Sequence, residues 1–208
     1  MVQYFLDGGD FMYPILIAGV AGIAFSLERL LHLLRGNINV EKFTDEVAST
    51  LKDSGTQSAI DKCNKAKGPV RNIFLAALER IGLGASEAEK AIEARGTIEM
   101  ASLEKNMAWI SFFIGTAPML GFLGTVVGMI KAFDDIKEAN EISPAVVAGG
   151  ISIALLTTAF GLIVAVILQF FQNIALNMIE GRVVDMEKGA EVLVETMIDL
   201  EREGKLKK

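Results

Sequence analysis

Two long apolar stretches decide the fold of this chain: Trp109–Phe133, WISFFIGTAPMLGFLGTVVGMIKAF, and Ala145–Phe171, AVVAGGISIALLTTAFGLIVAVILQFF. A helix needs about 20 mostly apolar residues to cross the hydrocarbon core of a bilayer, and both stretches are long enough. A third apolar stretch, Phe11–Leu34, precedes them and becomes charged only at Glu28 and Arg29. The sequence therefore predicts an all-α membrane protein with three transmembrane helices.

Small residues recur on one face of each of the two stretches. In the first stretch they recur at intervals of four, four, three and four, at Ala117, Gly121, Thr125, Gly128 and Ala132, and Gly124 and Gly128 form a GxxxG pair. In the second stretch they recur at intervals of four, three and four, at Ala154, Thr158, Gly161 and Ala165. Such spacings place small side chains along one helix face, where two backbones can approach closely. We expect these residues to pack helices together.

Ionisable side chains are absent from nearly all of the two stretches, with Lys131 near the end of the first as the exception. No Asp, Glu, Lys or Arg occurs between Asn106 and Ile130, or between Ile142 and Ile179. A protein that carries a cation through a membrane usually places an ionisable group at depth. Either this chain moves no ion, or a second polypeptide supplies the carboxylate.

The two stretches resemble the paired motifs of the MotA/TolQ/ExbB family of proton-channel subunits. The segment Ala117–Met129, APMLGFLGTVVGM, is similar to the second-span motif, and Ala154–Leu162, ALLTTAFGL, followed by Asn173, is similar to the third-span motif. The order of the whole chain resembles the TolQ/ExbB branch. Two positions depart from that branch: Ile153 stands where a Glu is frequent, and Ile167 where a Pro is usual.

The resemblance implies a pentamer that encloses single transmembrane helices of an ExbD-, TolR- or MotB-like partner carrying the ion-binding Asp. It also implies that the complex uses ion flow to perform mechanical work on a TonB- or TolA-like protein. By resemblance, the ion pathway would be lined by Thr125 and Thr158, with Thr157 about 100° away around the helix. The residues assigned to helix packing and to passage of the partner helix are Pro118, Gly121, Gly124, Gly128, Ala154, Gly161 and Ala165.

Basic residues predict the orientation. Eleven Lys or Arg lie in Arg35–Lys105 and six follow Asn173, whereas the turn before Pro144 holds only Lys137. Because loops rich in Lys and Arg stay in the cytoplasm, we expect an inner-membrane protein with a periplasmic N-terminus. The predicted segments are a periplasmic or interfacial N-terminus at 1–10, spans at 11–34, 109–133 and 145–173, a cytoplasmic helical domain at 35–108, a periplasmic turn at 134–144 and a cytoplasmic helical tail at 174–208.

Composition excludes several classes of function. The net charge of −6 gives no electrostatic support for a nucleic-acid partner. One Cys, Cys63, cannot form an internal disulfide, and one His, His32, cannot build a metal cluster. Without the residues of the common hydrolytic and metal sites, we expect no enzyme and no cofactor. Cys63 is interpreted as a buried small residue, and His32 as an interfacial one.

Helix signals continue outside the spans. Asn39 predicts a helix N-cap, and Ser86 with Glu89 predicts a capping box that opens a helix running directly into the second span. A heptad seam follows the third span, at Ala175, Ile179, Val183, Met186, Ala190, Leu193, Met197 and Leu200. The seam is equally consistent with packing on the 35–106 helices of the same chain and with packing between subunits.

Two further points stay open at the level of sequence. Glu28 and Arg29 are interpreted either as an anchor that reaches lipid headgroups or as a subunit contact, and Asn173 is grouped with them at an interface. Three classes of function compete: an ion-driven motor subunit, a passive membrane scaffold, and a self-sufficient channel. The motor class is favoured, and within it a TonB- or Tol-type system over a flagellar-stator (MotA-type) one, because MotA-like proteins typically have four spans.

Overall fold

The computed structural model describes residues 2–35, 39–139 and 144–204 of the chain. Every regular element in these ranges is helical, in agreement with the predicted all-α fold. The α-helices are α1 (Val2–Asp7), α2 (Met12–Arg35), α3 (Val40–Ser54), α4 (Thr56–Lys65), α5 (Pro69–Arg80), α6 (Ala85–Leu103), α7 (Met107–Ala139) and α8 (Pro144–Arg202), with a 3₁₀ turn at Ile81–Leu83. Part of the predicted periplasmic turn, 140–143, lies outside the described residues.

Three of the described helical stretches are long and apolar enough to cross a membrane. They lie within Met12–Leu34, Ala85–Glu138 and Val147–Arg202. In the second, the apolar residues belong to α7, because α6 carries Glu, Lys and Arg throughout. The prediction of three transmembrane helices is therefore confirmed by length and composition.

The residues form two compact units. The first contains Met1–Leu30 and Asn106–Ala175, and the second contains Leu31–Lys105 and Leu176–Lys208. In the first unit α2 packs on α8 through glycines: a Cβ built on Gly19 would lie 3.3 Å from Val164 Cγ1. Ser26, which is buried, donates its hydroxyl to the Gly22 carbonyl at 2.8 Å and so satisfies its own polar group within α2.

The second unit has a core of large apolar side chains. Phe74 of α5 is fully buried, and its ring stacks on that of Phe43 of α3 with centroids 5.7 Å apart. From Ile179 onward most of the heptad seam of α8 is buried in this unit, with Val183 and Ala190 half-buried, and Gly189 of α8 faces Thr44 and Phe74. The seam thus packs within the chain, and packing between subunits stays a prediction. Cys63 is buried as expected.

One predicted helix cap is confirmed and another is wrong. Asn39 Oδ1 accepts from the backbone N–H of Lys42 at 2.9 Å, as predicted for an N-cap. The Ser86–Glu89 capping box does not form, because the N-cap is Gly84 and α6 begins at Ala85, so Ser86 already lies inside the helix. There the Ala85 N–H donates to Glu201 Oε2 of α8 at 3.2 Å, so a carboxylate distant in sequence takes the capping role.

The predicted continuous helix from α6 into the second span is also wrong. The helix is interrupted at Glu104–Asn106, and Asn106 adopts φ of +66°, in the left-handed region. Asn tolerates that region better than other non-glycine residues, and it ends helices as glycine does. The Asn106 side chain also donates to Glu28 Oε2 at 3.0 Å, which helps to hold the turn.

Candidate functional site

The contact between α7 and α8 is built on backbone approach. A Cβ built on Gly161 of α8 would lie 2.6 Å from the Ala117 carbonyl oxygen of α7, and one on Gly121 would lie 2.8 Å from the Thr157 carbonyl oxygen. Contacts below 3.0 Å are not tolerated by real side chains without a shift of the backbone. The small-residue stripes therefore pack α7 on α8 of the same chain, as van der Waals packing in membranes requires.

This packing bears on both roles predicted for the glycines. Gly121, Gly124, Gly128 and Gly161 are all buried against the neighbouring helix of the same chain, with Ala154 and Ala117 among them. Their predicted role in helix packing agrees with this geometry. The face that these four glycines form is covered by the neighbouring helix of the same chain, which argues against passage of a partner helix along it.

Thr157 belongs to the same packed contact. It is 1% exposed, and its hydroxyl lies within 3.2 Å of the Gly121 carbonyl oxygen and 2.8 Å of the Ala154 carbonyl oxygen. A Cβ built on Gly124 would lie 2.7 Å from Thr157 Oγ1. A hydroxyl buried in this way fills the space between the two helices and has its hydrogen bond satisfied there. It is not accessible from the surface of the α7–α8 pair.

Thr125 and Thr158 occupy the edge of the contact. Their hydroxyls bond each other, and both side chains are half-buried. Thr125 Oγ1 also lies 3.0 Å from the Ala154 carbonyl oxygen, and Thr158 Oγ1 lies 3.2 Å from the Gly121 carbonyl oxygen. Each hydroxyl has one proton and two lone pairs, so the pair keeps lone pairs that can accept from water, a hydrated cation or a protonated carboxyl group.

The surface around the threonine pair is apolar and exposed. Phe122 of α7 is 67% exposed and Leu155 of α8 is 63% exposed, and Leu162 and Ile151 are also exposed. No ionisable residue stands within these parts of α7 and α8. The pair is thus a small polar strip on an apolar face.

A second polar cluster joins α7 and α8, and sequence reasoning missed most of it. Gln172 Nε2 donates to Ser111 Oγ at 2.5 Å, and Gln169 Nε2 donates to Gln172 Oε1 and to Asn173 Oδ1, at 3.2 and 3.0 Å. Of these residues only Asn173 was singled out from the sequence. The signal was available, because two glutamine side chains inside an apolar helix are unusual enough to mark a bonded cluster.

Glu28 and Arg29 differ in their surroundings. Arg29 is 1% exposed, so its side chain does not reach outward, and its interpretation as a headgroup anchor is wrong. Glu28 is exposed and accepts a hydrogen bond from Asn106. Pro118 lies inside α7, and Pro118 and Ala165 are half-buried beside the α7–α8 contact.

Comparisons with known proteins agree with these motifs. The MotA/TolQ/ExbB proton channel family matches residues 65–188, which include α7 and the spanning part of α8. An ExbB homolog of Methanothermobacter thermautotrophicus, described as a biopolymer transport protein, is 31% identical over 171 residues, which are 81% of this chain and 60% of that protein.

Two bacterial relatives show the same similarity. The biopolymer transport protein ExbB of Pseudomonas putida is 31% identical over 76% of this chain and 51% of its own length. The Tol-Pal system protein TolQ of Haemophilus influenzae is 35% identical over 33% of this chain and 30% of its own length. The aligned part is thus only about half to three fifths of the two ExbB relatives. With three candidate spans and these relatives, the chain is a multi-pass inner-membrane protein that belongs to the MotA/TolQ/ExbB proton channel family, on its TolQ/ExbB-like branch.

Proposed function

We propose that this chain is the ring-forming subunit of an ion-driven motor in the inner membrane. Several copies, five by resemblance, surround single transmembrane helices of an ExbD-, TolR- or MotB-like partner that carries a membrane Asp. The observation that carries the proposal is the Thr125–Thr158 hydroxyl pair, which lies half-exposed on an apolar face without any ionisable side chain.

The absence of charge around the pair explains why a partner is required. A carboxylate in an apolar environment is strongly disfavoured unless a proton or another cation neutralises it. A charged partner Asp facing Thr125 and Thr158 could only accept a hydrogen bond, from a hydroxyl that turns its proton away from a backbone carbonyl oxygen, whereas a protonated Asp could donate to a hydroxyl lone pair. The partner helix then prefers different faces of the ring before and after neutralisation.

The membrane potential can drive such a change. One elementary charge that crosses the membrane contributes about 2.3 kcal/mol per 100 mV. A free-energy difference of about 1.4 kcal/mol already changes a two-state ratio tenfold. The potential is therefore large enough to shift the preference of the partner helix between two contacts, and repeated shifts perform mechanical work.

The cluster of Gln169, Gln172, Asn173 and Ser111 extends the polar strip. It joins the same two helices, and Gln169 follows Thr158 by eleven residues along α8, which is about 16 Å at 1.5 Å per residue. Both Gln169 and Asn173 are exposed. We assign these amides to the cytoplasmic end of the pathway, where they would bond water that receives the cation.

The proposal includes orientation, partner system and class. The N-terminus is periplasmic, and the second unit is cytoplasmic, because Arg35–Lys105 and the tail hold seventeen of the twenty basic residues. The work is transferred to a TonB- or TolA-like protein, in keeping with relatives named for biopolymer transport and for the Tol-Pal system. The chain acts through ion transfer and helix contacts, not as an enzyme.

The test removes one hydroxyl and keeps its shape. Thr158→Val, expressed with the partner, should assemble normally, because an interhelical hydrogen bond in a membrane contributes only about 0.6 kcal/mol on average. Activity that depends on the proton potential should fall about tenfold or more, since a hydrogen bond to a charged group contributes about 1.5–3 kcal/mol. Thr158→Ser, which restores the hydroxyl, should recover most of the activity.

The matched control is Thr116→Val, which makes the same change on another face of α7, away from the threonine pair. It should change neither ring yield nor activity. Normal activity in Thr158→Val would overturn the assigned role, and loss of the ring in that variant would make Thr158 a packing residue. Activity of the whole complex that does not depend on the potential would favour a passive scaffold.

A further inference from the structure

A cavity of about 410 Å³, lined by both polar and apolar residues, lies in the second unit. It is enclosed by the end of α2, the beginning of α5, the end of α6 and one position of α8. The lining side chains that bear on its chemistry are His32, Lys67, Arg71, Asn72, Glu99 and Arg182. The function proposed above makes no use of these residues.

The cavity has an excess of positive charge. Among the described residues, neither Lys67 nor Arg71 forms an ion pair with a carboxylate. The one acidic group in the lining, Glu99, is bound by Arg95 at 2.8 Å and by Asn72 at 3.0 Å, so its charge is already compensated. Lys67 and Arg71 are therefore available for an anion from outside the protein.

Arg71 is placed to bind such an anion. Its Nε is buried and has no hydrogen-bond partner within the described part of the chain, while Nη1 makes only a long bond of 3.4 Å to the Ala66 carbonyl oxygen. A buried guanidinium N–H without an acceptor is unfavourable. Arginine offers a planar set of donors that fits phosphate oxygens, and an incoming phosphate would supply the missing acceptor.

The beginning of α5 contributes a second attraction for anions. Gly68 and Pro69 line the cavity, and no side chain caps the helix at Gly68. The first N–H groups of a helix carry partial positive charge, which favours a phosphate near them. Arg182 Nη2, from α8, donates to the Leu33 carbonyl oxygen at 3.2 Å and holds that guanidinium on the wall formed by the end of α2.

The position of the cavity indicates the source of the phosphate. Leu33 and His32 belong to the last turn of the first candidate span, which ends at Leu34. Leu31 and Leu34, on the same turn, are 53% and 61% exposed. Exposed leucines beside a basic cavity at the end of a span are suited to a molecule with apolar chains and an anionic head.

We propose that this cavity binds the phosphate group of an anionic phospholipid, with Lys67 and Arg71 as its charged ligands. The acyl chains lie along Leu31 and Leu34 of α2. The site would select lipid at the end of the first span, and it is independent of ion transfer at Thr125 and Thr158.

The experiment measures lipid retention by the full-length protein. The protein is reconstituted in nanodiscs of phosphatidylcholine with increasing phosphatidylglycerol, and lipids retained per subunit are counted by native mass spectrometry. Lys67→Gln and Arg71→Gln should each weaken phosphatidylglycerol retention about fivefold, the effect of one basic residue near an anionic headgroup. Arg71→Lys, which keeps the charge but loses the planar donors, should show an intermediate loss.

Arg80→Gln is the matched control, because it removes one positive charge from the exposed last turn of the same helix. It should retain phosphatidylglycerol as the unmodified protein does. Equal retention in Lys67→Gln, Arg71→Gln and Arg80→Gln would overturn the proposal. Lys67 is exposed, so its variant keeps the test valid even if Arg71→Gln fails to fold.

A separate arm distinguishes lipid phosphate from free phosphate. Inorganic phosphate added to the protein in pure phosphatidylcholine nanodiscs should bind weakly, because it has no chains to contact Leu31 and Leu34. Arg71-dependent binding of inorganic phosphate, without any preference for phosphatidylglycerol over phosphatidylcholine, would overturn the assignment to lipid. Neither result bears on the Thr158 experiment, which reads potential-dependent activity.

Discussion

The two units of this protein are both helical, but the α7–α8 contact of the first follows a different packing rule from the core of the second. In the first unit the α7–α8 contact buries glycines, alanines and a hydroxyl, with Gly121 and Gly161 against backbone atoms. In the second unit the core buries large side chains such as Phe74, Leu78 and Leu193. One rule depends on close backbone approach, and the other on the volume of apolar side chains.

The exposed surfaces of the two units differ in the opposite sense. The first unit exposes large apolar residues, with Met119 at 71% and Val166 at 69%. The second exposes charges on the outer faces of its helices, for example Glu41, Lys52 and Glu89. Lipid solvates apolar side chains as well as a protein interior does, so the hydrophobic effect drives helices to pack together only in the second unit. The comparison shows that the surroundings, not the helical period, determine which residues are buried.

The helix α8 shows both rules in one element. Between Ala154 and Ala165 its buried positions are small, whereas between Ile179 and Leu200 they are mostly large. The helix runs without interruption from Pro144 to Arg202. The change of residue size along a continuous helix therefore marks the point where its surroundings change.

The largest effect is expected in the second core. Phe74→Ala removes a fully buried ring that stacks on Phe43. The free energy of unfolding should fall by about 3–5 kcal/mol, from lost burial and from the cavity that remains. The measurement is chemical unfolding of the full-length protein in detergent, followed by circular dichroism. The control Leu83→Ala, at a site 73% exposed, should change the free energy of unfolding by less than about 0.5 kcal/mol.

A loss below about 1 kcal/mol for Phe74→Ala would break the comparison, because the second unit would then not depend on the volume of its core.

A smaller effect is expected in the membrane contact. Gly161→Ala adds a Cβ that would lie 2.6 Å from the Ala117 carbonyl oxygen, so α7 and α8 must separate. The destabilisation should be about 1–3 kcal/mol, as for other overpacked sites. Resistance to unfolding by added sodium dodecyl sulfate measures it.

Gly115→Ala is the control for that change, because nothing lies within 4 Å of the Cβ it would add. Alanine also has the higher helix propensity, so this variant should be as stable as the unmodified protein or slightly more stable. Equal losses in both variants would show that helix propensity, and not close approach, sets the stability of the first unit.

The smallest effect concerns Cys63 in the second core. Burial raises the pKa of its thiol to about 11 from an ordinary value of 9.0, and the nearby Arg71 opposes this shift. Well below pH 9 the thiol is neutral in both folded and unfolded chains, so Cys63→Ala and the unmodified protein should keep a constant difference in stability.

Between pH 9 and about 11 the unfolded chain loses the Cys63 proton before the folded one does. The stability of the unmodified protein relative to Cys63→Ala should therefore fall as pH rises through this interval. Unfolding curves recorded from pH 7 to 10.5 measure the difference. A difference that stays flat above pH 9 would show that the core around Cys63 admits water.

Much of the architecture was predictable from residue order alone. Runs of about 20 apolar residues predict spans because a helix of that length crosses the bilayer and satisfies its own backbone hydrogen bonds in lipid. The small-residue stripes identified the faces that pack, and Asn39 identified the start of α3. These features are local, so each can be recognised within a few turns of one helix.

The tertiary structure decided what each face meets. Helical spacing gives the angle between Thr157 and Thr158 but not which of the two faces a neighbouring helix, and only the fold places Thr157 inside the contact and Thr158 at its edge. The same holds for the burial of Arg29 and for Glu201, which caps α6 from a distance of 116 residues along the chain. The helical period can be read from the sequence of one helix, whereas the residues that pack against a face depend on where a second helix lies.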